Sequence, residues 1–167
     1  ALLAVLAARP AAGDPPSKIF SLDNGLKVCL VEKRGVPLFN AVLAVNVGVK
    51  DETAETRGAV HVLEHCILFR GTANRSGSQV GLEVREHGAY FNAHTGEDLA
   101  WFEISVPVEH AEFALANQKE IVFQLTIDQA ELDSEKAVVL EEISQVEDDP
   151  FRYATMLAFQ GLFRGHP

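Results

Sequence analysis

His61, Glu64 and His65 stand in the order His-Val-Leu-Glu-His, a spacing that can hold a metal if the segment is helical. Residues four apart on a helix share one face, about 40° apart around the axis, so both imidazoles can grip one ion. Glu64 would lie about 60° from His61, near enough to reach a water on that ion. The neighbours Ala59, Val60, Val62, Leu63, Cys66, Ile67, Leu68 and Phe69 are apolar. A helix apolar nearly all round is expected to be buried. Two imidazoles and a carboxylate on a buried helix need partners, because unpaired buried polar groups are costly. A zinc ion would satisfy all three.

Catalytic zinc takes three protein ligands and leaves one position for water. The third ligand must come from elsewhere. Residues 129–147 read as a helix with an apolar stripe of Leu132, Val139, Ile143 and Val146. Glu135 and Glu142, seven residues apart, fall on that stripe, whereas Asp133, Lys136, Glu141 and Glu147 lie off it. Carboxylates on a core-facing stripe need something positive to meet them. Arg or Lys could serve. Beside the histidine motif, a metal is the better account.

The elements that must position these groups follow from the pattern. Residues 18–22 and 26–32 flank Asn24-Gly25, a hairpin signal. Residues 38–49 alternate as a third strand, a polar break covers 50–57, and 58–69 is apolar over a helical length. Ser76-Gly77-Ser78 marks a turn and a helix start, and residues 79–87 form a helix stopped by Gly88. Strands at 90–95 and 99–106 are separated by Gly96-Glu97-Asp98. Helices follow at 108–125, 129–147 (N-capped by Asp128) and 151–163 (with Pro150 at its start). This order predicts an α+β fold, a mostly antiparallel sheet with long helices packed on one face.

Composition bounds the function. The chain has 167 residues, 47% hydrophobic and 23% charged, as an ordinary soluble globular domain does. A net charge of −10 argues against a nucleic-acid partner. It suits a cationic substrate, although an acidic surface alone explains it more simply. Two cysteines, Cys29 and Cys66, imply neither a disulfide framework nor a Cys-rich zinc site. Residues 1–16 read as the end of a secretory signal peptide, clipped of its Met and basic region, which implies a secreted or periplasmic protein. A disordered Ala-rich leader or a transit-peptide remnant is the other account. The apolar run is too short to span a membrane. No closing strand follows the last helix, so the zinc-binding domain at 17–167 is expected to be incomplete.

Here the residues reach a known family. His-x-x-Glu-His within GAVHVLEHCILFRGT resembles the inverted zinc motif of the pitrilysin/insulinase metallopeptidases. Tyr90-Phe91-Asn92-Ala93-His94-Thr95 resembles that family's edge strand, and DLAWFEISVP resembles its partner strand. The likeness runs from about Ile19 to the C-terminus. One extra residue before Gly71-Thr72, and Cys66 where Met is usual, depart from the family pattern.

The resemblance implies a zinc-dependent endopeptidase of the pitrilysin and mitochondrial processing peptidase type. It implies His61, His65 and Glu142 as ligands of one Zn2+, Glu142 standing 77 residues after His65. It implies Glu64 as general base and Glu135 as a residue that assists the site. The edge strand around Asn92, Ala93 and Thr95 would bind an extended peptide by strand addition. A second homologous domain or partner chain is implied as well, so the chain alone should bind zinc but cleave weakly or not at all. A non-catalytic scaffold subunit of the same family is the alternative, although such proteins typically lose the motif kept here. S-ribosylhomocysteine lyases carry their own His-x-x-Glu-His with a Cys ligand, but neither Cys29 nor Cys66 is placed for that role. Among the other histidines, His87 and His110 are expected on solvated helix faces and His94 in the peptide-binding strand. His166 belongs to the Gly-His-Pro end. Of Trp101 and Phe102, one should pack in the core and the other face outward.

Overall fold

The structure, a computed structural model, describes residues 16–165. The expected leader and His166 therefore lie outside the described residues. The chain divides into two compact units, Ala1–Leu38 and Phe39–Pro167.

The first unit holds an antiparallel hairpin of β1 (Ser17–Ser21) and β2 (Lys27–Val31), with Ile19 opposite Cys29. Its turn follows from local chemistry. The Asn24 side chain accepts from the Leu26 N–H at 3.1 Å, and Gly25 takes the left-handed φ of 85°.

The second unit carries β3 (Leu38–Val45), β4 (Tyr90–Thr95) and β5 (Ala100–Pro107), with β5 central and β4 at one edge. Alternation divides the β4–β5 ribbon into two faces. Ala93, Ala100, Phe102, Ile104 and Val106 are buried on one face. Asn92 and His94 lie on the other, opposite Glu103 and Trp101 in the register. Phe102 thus packs the core and Trp101 turns outward, stacked on His94.

Helices cover the buried face. They are α1 (Ala59–Phe69), α2 (Gly77–Glu86) and α3 (Ala111–Phe123). Ile67, Val80 and Ile121 meet Ala93 and Phe102 in one cluster, and Ile104, Val106 and Ala114 form a second. α4 (Gln129–Asp148) lies against α1, and α5 (Pro150–Leu162) lies against α4. The expected caps are in place: Ser76 accepts from Gln79, Asp128 from Glu131, and Pro150 opens α5. The α+β arrangement with helices on one sheet face is as expected. Two boundaries are shorter. Residues 49–51 form a 3-10 turn rather than extending β3, and a 3-10 turn at Val108–His110 precedes α3.

Two expectations are corrected. α1 is not buried all round: His65, Cys66 and Ile67 are buried, but Leu63 is 50% and Phe69 60% exposed. The described elements cover only the sides of α1 that meet the sheet, α2, α3 and α4. His87 and His110 are not simply solvated. His87 stacks flat on Phe113 with ring centroids 3.7 Å apart, and His110 meets it edge-on at 4.9 Å. The His87 Nδ1 also lies 2.8 Å from the Glu83 carbonyl.

A polar knot ties the end of α1 to α2 and α3. Arg75 contacts Glu83 at 2.6 Å, Glu120 at 3.1 Å and Asn117 at 3.1 Å. The Thr72 hydroxyl donates to Glu120 at 2.5 Å. Burial alone would lower the Arg75 pKa, but hydrogen bonds and charge from Glu120 and Glu83 outweigh it and raise the value. The Glu120 carboxyl lies below its ordinary value, held there first by Thr72 and then by Arg75.

A carboxyl lowered in the folded state adds stability above its unfolded pKa, near 4.3, and loses it as pH falls through the folded value. Glu120→Gln is therefore expected to lower the urea midpoint at about pH 7, and the gap from wild type to close below about pH 4. Urea melts across that pH range check this.

Candidate metal centre

The centre is built on the seam between α1 and α4. α1 is anchored at its start by a carboxylate. Glu52 accepts from the Gly58 N–H at 2.8 Å and the Val60 N–H at 3.0 Å. This pairs backbone donors that a helix N-terminus leaves open, and negative charge is favourable there. Gly58 precedes the helix with φ 79°, a conformation that suits glycine. At the other end, Gly77 of α2 packs so closely on the Phe69 carbonyl that a Cβ there would overlap it.

α1 then presents His61 and His65 to one side, ring centroids 4.8 Å apart. α4 brings Glu142 to meet them. Glu142 Oε2 lies 3.3 Å from His61 Nε2 and 3.5 Å from His65 Nε2. One donor atom from each of the three residues lies within 4.8 Å of the others. Tetrahedral zinc with ligands at about 2.0–2.1 Å has ligand–ligand edges of roughly 3.3–3.4 Å, so the two measured edges fit that ion. The donor set, two neutral imidazoles and one carboxylate, is also a zinc set. The surroundings are asymmetric. The His65 side chain is 7% exposed and that of Glu142 44%, so one side is closed and the other open.

Glu135 stands behind His65 on the closed side. Its Oε2 lies 3.4 Å from His65 Nδ1, while its Oε1 meets Arg70 Nη2 at 2.6 Å. Both stripe carboxylates thus face α1, and their partners divide: Glu135 has a guanidinium as well as an imidazole, Glu142 has the two imidazoles. The role of Arg70 was not legible beforehand. Its place at the end of an apolar helix was the available signal.

Glu64 points toward the sheet edge, where Thr95 Oγ1 donates to its Oε2 at 2.6 Å. The side chains of the edge strand are placed as follows. The Thr95 hydroxyl is engaged by Glu64, the Ala93 side chain is buried in the core, and the Asn92 side chain lies on the opposite face beside Tyr90. Cys66 is buried and outside the donor set, with its thiol pKa raised by burial first and by the Glu135 charge second. Cys29 is exposed on the hairpin. A separate polar hollow lined by Thr72, Asn74, Arg75, Thr126 and Glu131 contains none of the donors, and Thr72 and Arg75 are already bonded to Glu120.

The chain is similar to several known proteins. The chain is 32% identical over 133 residues to an uncharacterized zinc protease of Bacillus subtilis, covering 80% of this chain and 32% of that protein. It is 30% identical over 151 residues to human mitochondrial cytochrome b-c1 complex subunit 1, covering 88% of this chain and 31% of the relative. A protease structure from Helicobacter pylori superposes with TM-score 0.77 at 26% identity, over 83% of this chain and 34% of that one. An inactive peptidase M16 domain from Pseudomonas fluorescens shares the fold, with TM-score 0.82 at 21% identity, over 91% of this chain and 37% of that one. The chain spans about a third of the length of these relatives.

The geometry predicts one zinc per chain in protein purified without chelators. Glu142→Ala should lose that metal, and with it the rise in thermal midpoint that added zinc produces in the wild type. Metal analysis and thermal melts check both. The model for Insulinase (Peptidase family M16) matches residues 27–166, and the chain belongs to that family.

Proposed function

We propose that the chain is the metal-holding part of a zinc-dependent endopeptidase that hydrolyses extended peptides. The convergence of His61 Nε2, His65 Nε2 and Glu142 Oε2 carries this reading. When bound there, zinc would supply a Lewis acid that acidifies water and polarises the scissile carbonyl. Glu64 takes a proton from the attacking water and returns it to the leaving amine. The Thr95 hydroxyl donates to one oxygen of that carboxylate at 2.6 Å and leaves the other oxygen for this role. Glu135 holds His65 from behind.

β4 is the edge strand of its sheet and lies beside α1, so a peptide added to it runs past Glu64. Main-chain pairing selects extended peptides without reading their sequence. Further selectivity would come from a second homologous domain or a partner chain. A relative, the β subunit of rat mitochondrial-processing peptidase, is 28% identical and is itself a subunit. No described helix is long and apolar enough to cross a membrane. A secreted or periplasmic location, suggested by the leader alone, is part of the same proposal.

A non-catalytic scaffold is the second reading. The relationship to a cytochrome b-c1 complex subunit and to an inactive peptidase M16 domain favours it. The donor set of His61, His65 and Glu142, with Glu64 on the same helix, supports the peptidase.

Glu64→Gln separates the two. The variant should keep its zinc and lose cleavage of an unstructured fluorogenic peptide by about 10²–10⁴-fold. Cleavage at the wild-type rate would remove Glu64 from the mechanism, and a wild type that binds zinc without cleaving even when joined to its second domain or partner chain would favour the scaffold.

A further inference from the structure

We propose that Arg70 is a positioning residue for the metal centre: it pins the buried Glu135 carboxylate so that His65 presents Nε2 to His61 and Glu142. The inference rests on the zinc reading above.

Three observations carry it. The Glu135 carboxylate is only 4% exposed, and a buried carboxylate needs a cation and hydrogen bonds to remain where it is. Arg70 supplies the cation through one contact, Nη2 to Oε1 at 2.6 Å. The opposite oxygen, Oε2, is the group facing His65 Nδ1, a buried nitrogen with no hydrogen-bond partner among the described residues. An ionised carboxylate only accepts, so a proton on the His65 ring belongs on Nδ1 and the lone pair on Nε2. Nε2 is the atom that faces Glu142.

Arg70 sits where it can do this because α1 ends there. Its backbone N–H still bonds the Cys66 carbonyl at 2.9 Å, while its φ and ψ are already extended, at −104° and 176°. The side chain leaves the last turn of the helix that carries His65 and reaches α4. One helix therefore provides both the ligand and the clamp on the carboxylate behind it. Without the guanidinium, Oε1 has no partner and the carboxylate can rotate away from Nδ1. The imidazole then loses the carboxylate that faces its Nδ1, and with it its set orientation.

The test measures zinc affinity by competition with a chromophoric chelator, on the whole chain, together with thermal midpoints of the metal-free protein. Arg70→Gln should bind zinc about 10- to 100-fold more weakly. Arg70→Lys should recover affinity to within about threefold of wild type, since the contact uses a single N–H group that an ammonium can replace. In a Glu135→Gln background, Arg70→Gln should change zinc affinity by less than about twofold, because the relay is already broken. Cobalt-substituted wild type and Arg70→Gln should differ in their visible ligand-field bands. Unchanged zinc affinity in folded Arg70→Gln, with only a lower metal-free midpoint, would overturn the proposal and make Arg70 a structural ion pair. Arg70→Lys as weak as Arg70→Gln would overturn it too. If Arg70→Gln does not fold, Arg70→Lys and the Glu135→Gln pair still decide. A wild type whose zinc affinity is unaffected by Glu142→Ala would instead overturn the metal reading on which this one rests.

Discussion

The seam between α1 and α4 imposes the constraint on which the rest depends: two imidazoles and two carboxylates must share it with their polar atoms turned toward one another. His65 is the pivot. Glu135 meets its Nδ1 from one side and Glu142 its Nε2 from the other. The two carboxylates are seven residues apart on α4, which at 1.5 Å per residue is about 10.5 Å along the axis. That spacing lets one helix clasp an imidazole on another from both ends. A one-turn slip of α4 would lose both contacts together.

The remaining fold holds these two helices in register. Ile67, two residues after His65, enters the cluster formed by Val80, Ala93, Phe102 and Ile121. The helix that carries the ligands is therefore anchored in the core of the second unit. Glu52 ties down its first turn, and the Arg75 knot ties the loop after its last turn to α2 and α3. The Thr95 hydroxyl on β4 reaches Glu64 between the two histidines. A site made of side chains on helices and a strand, with His65 and Glu64 each held by a further residue, is the kind that can hold donor atoms in place.

Much of this was legible in the chain. The His-x-x-Glu-His spacing located α1, the stripe of Leu132, Val139, Ile143 and Val146 placed Glu135 and Glu142 toward it although Ile143 itself is exposed, and Asp128 and Pro150 marked helix starts. These are local signals, carried by periodicity and caps. The contacts that escaped are between residues distant in sequence. Thr95 finds Glu64 across 31 positions, and Arg75 finds Glu120 across 45. Nothing in the composition of either segment specifies such a pair. Burial was overestimated for a related reason. Leu63 and Phe69 are as apolar as Ile67, but no described element covers them. The stack of His87 on Phe113 joins two helices in the same way, and neither helix alone announces it.

The central claim is that two imidazoles and a carboxylate from two facing helices hold one zinc ion. X-ray absorption at the zinc edge of the loaded chain tests it most directly. The account predicts a first shell of nitrogen and oxygen at about 2.0–2.1 Å, with the outer-shell scattering of two imidazoles. A sulfur neighbour near 2.3 Å, or a shell of oxygen without imidazole, would contradict it.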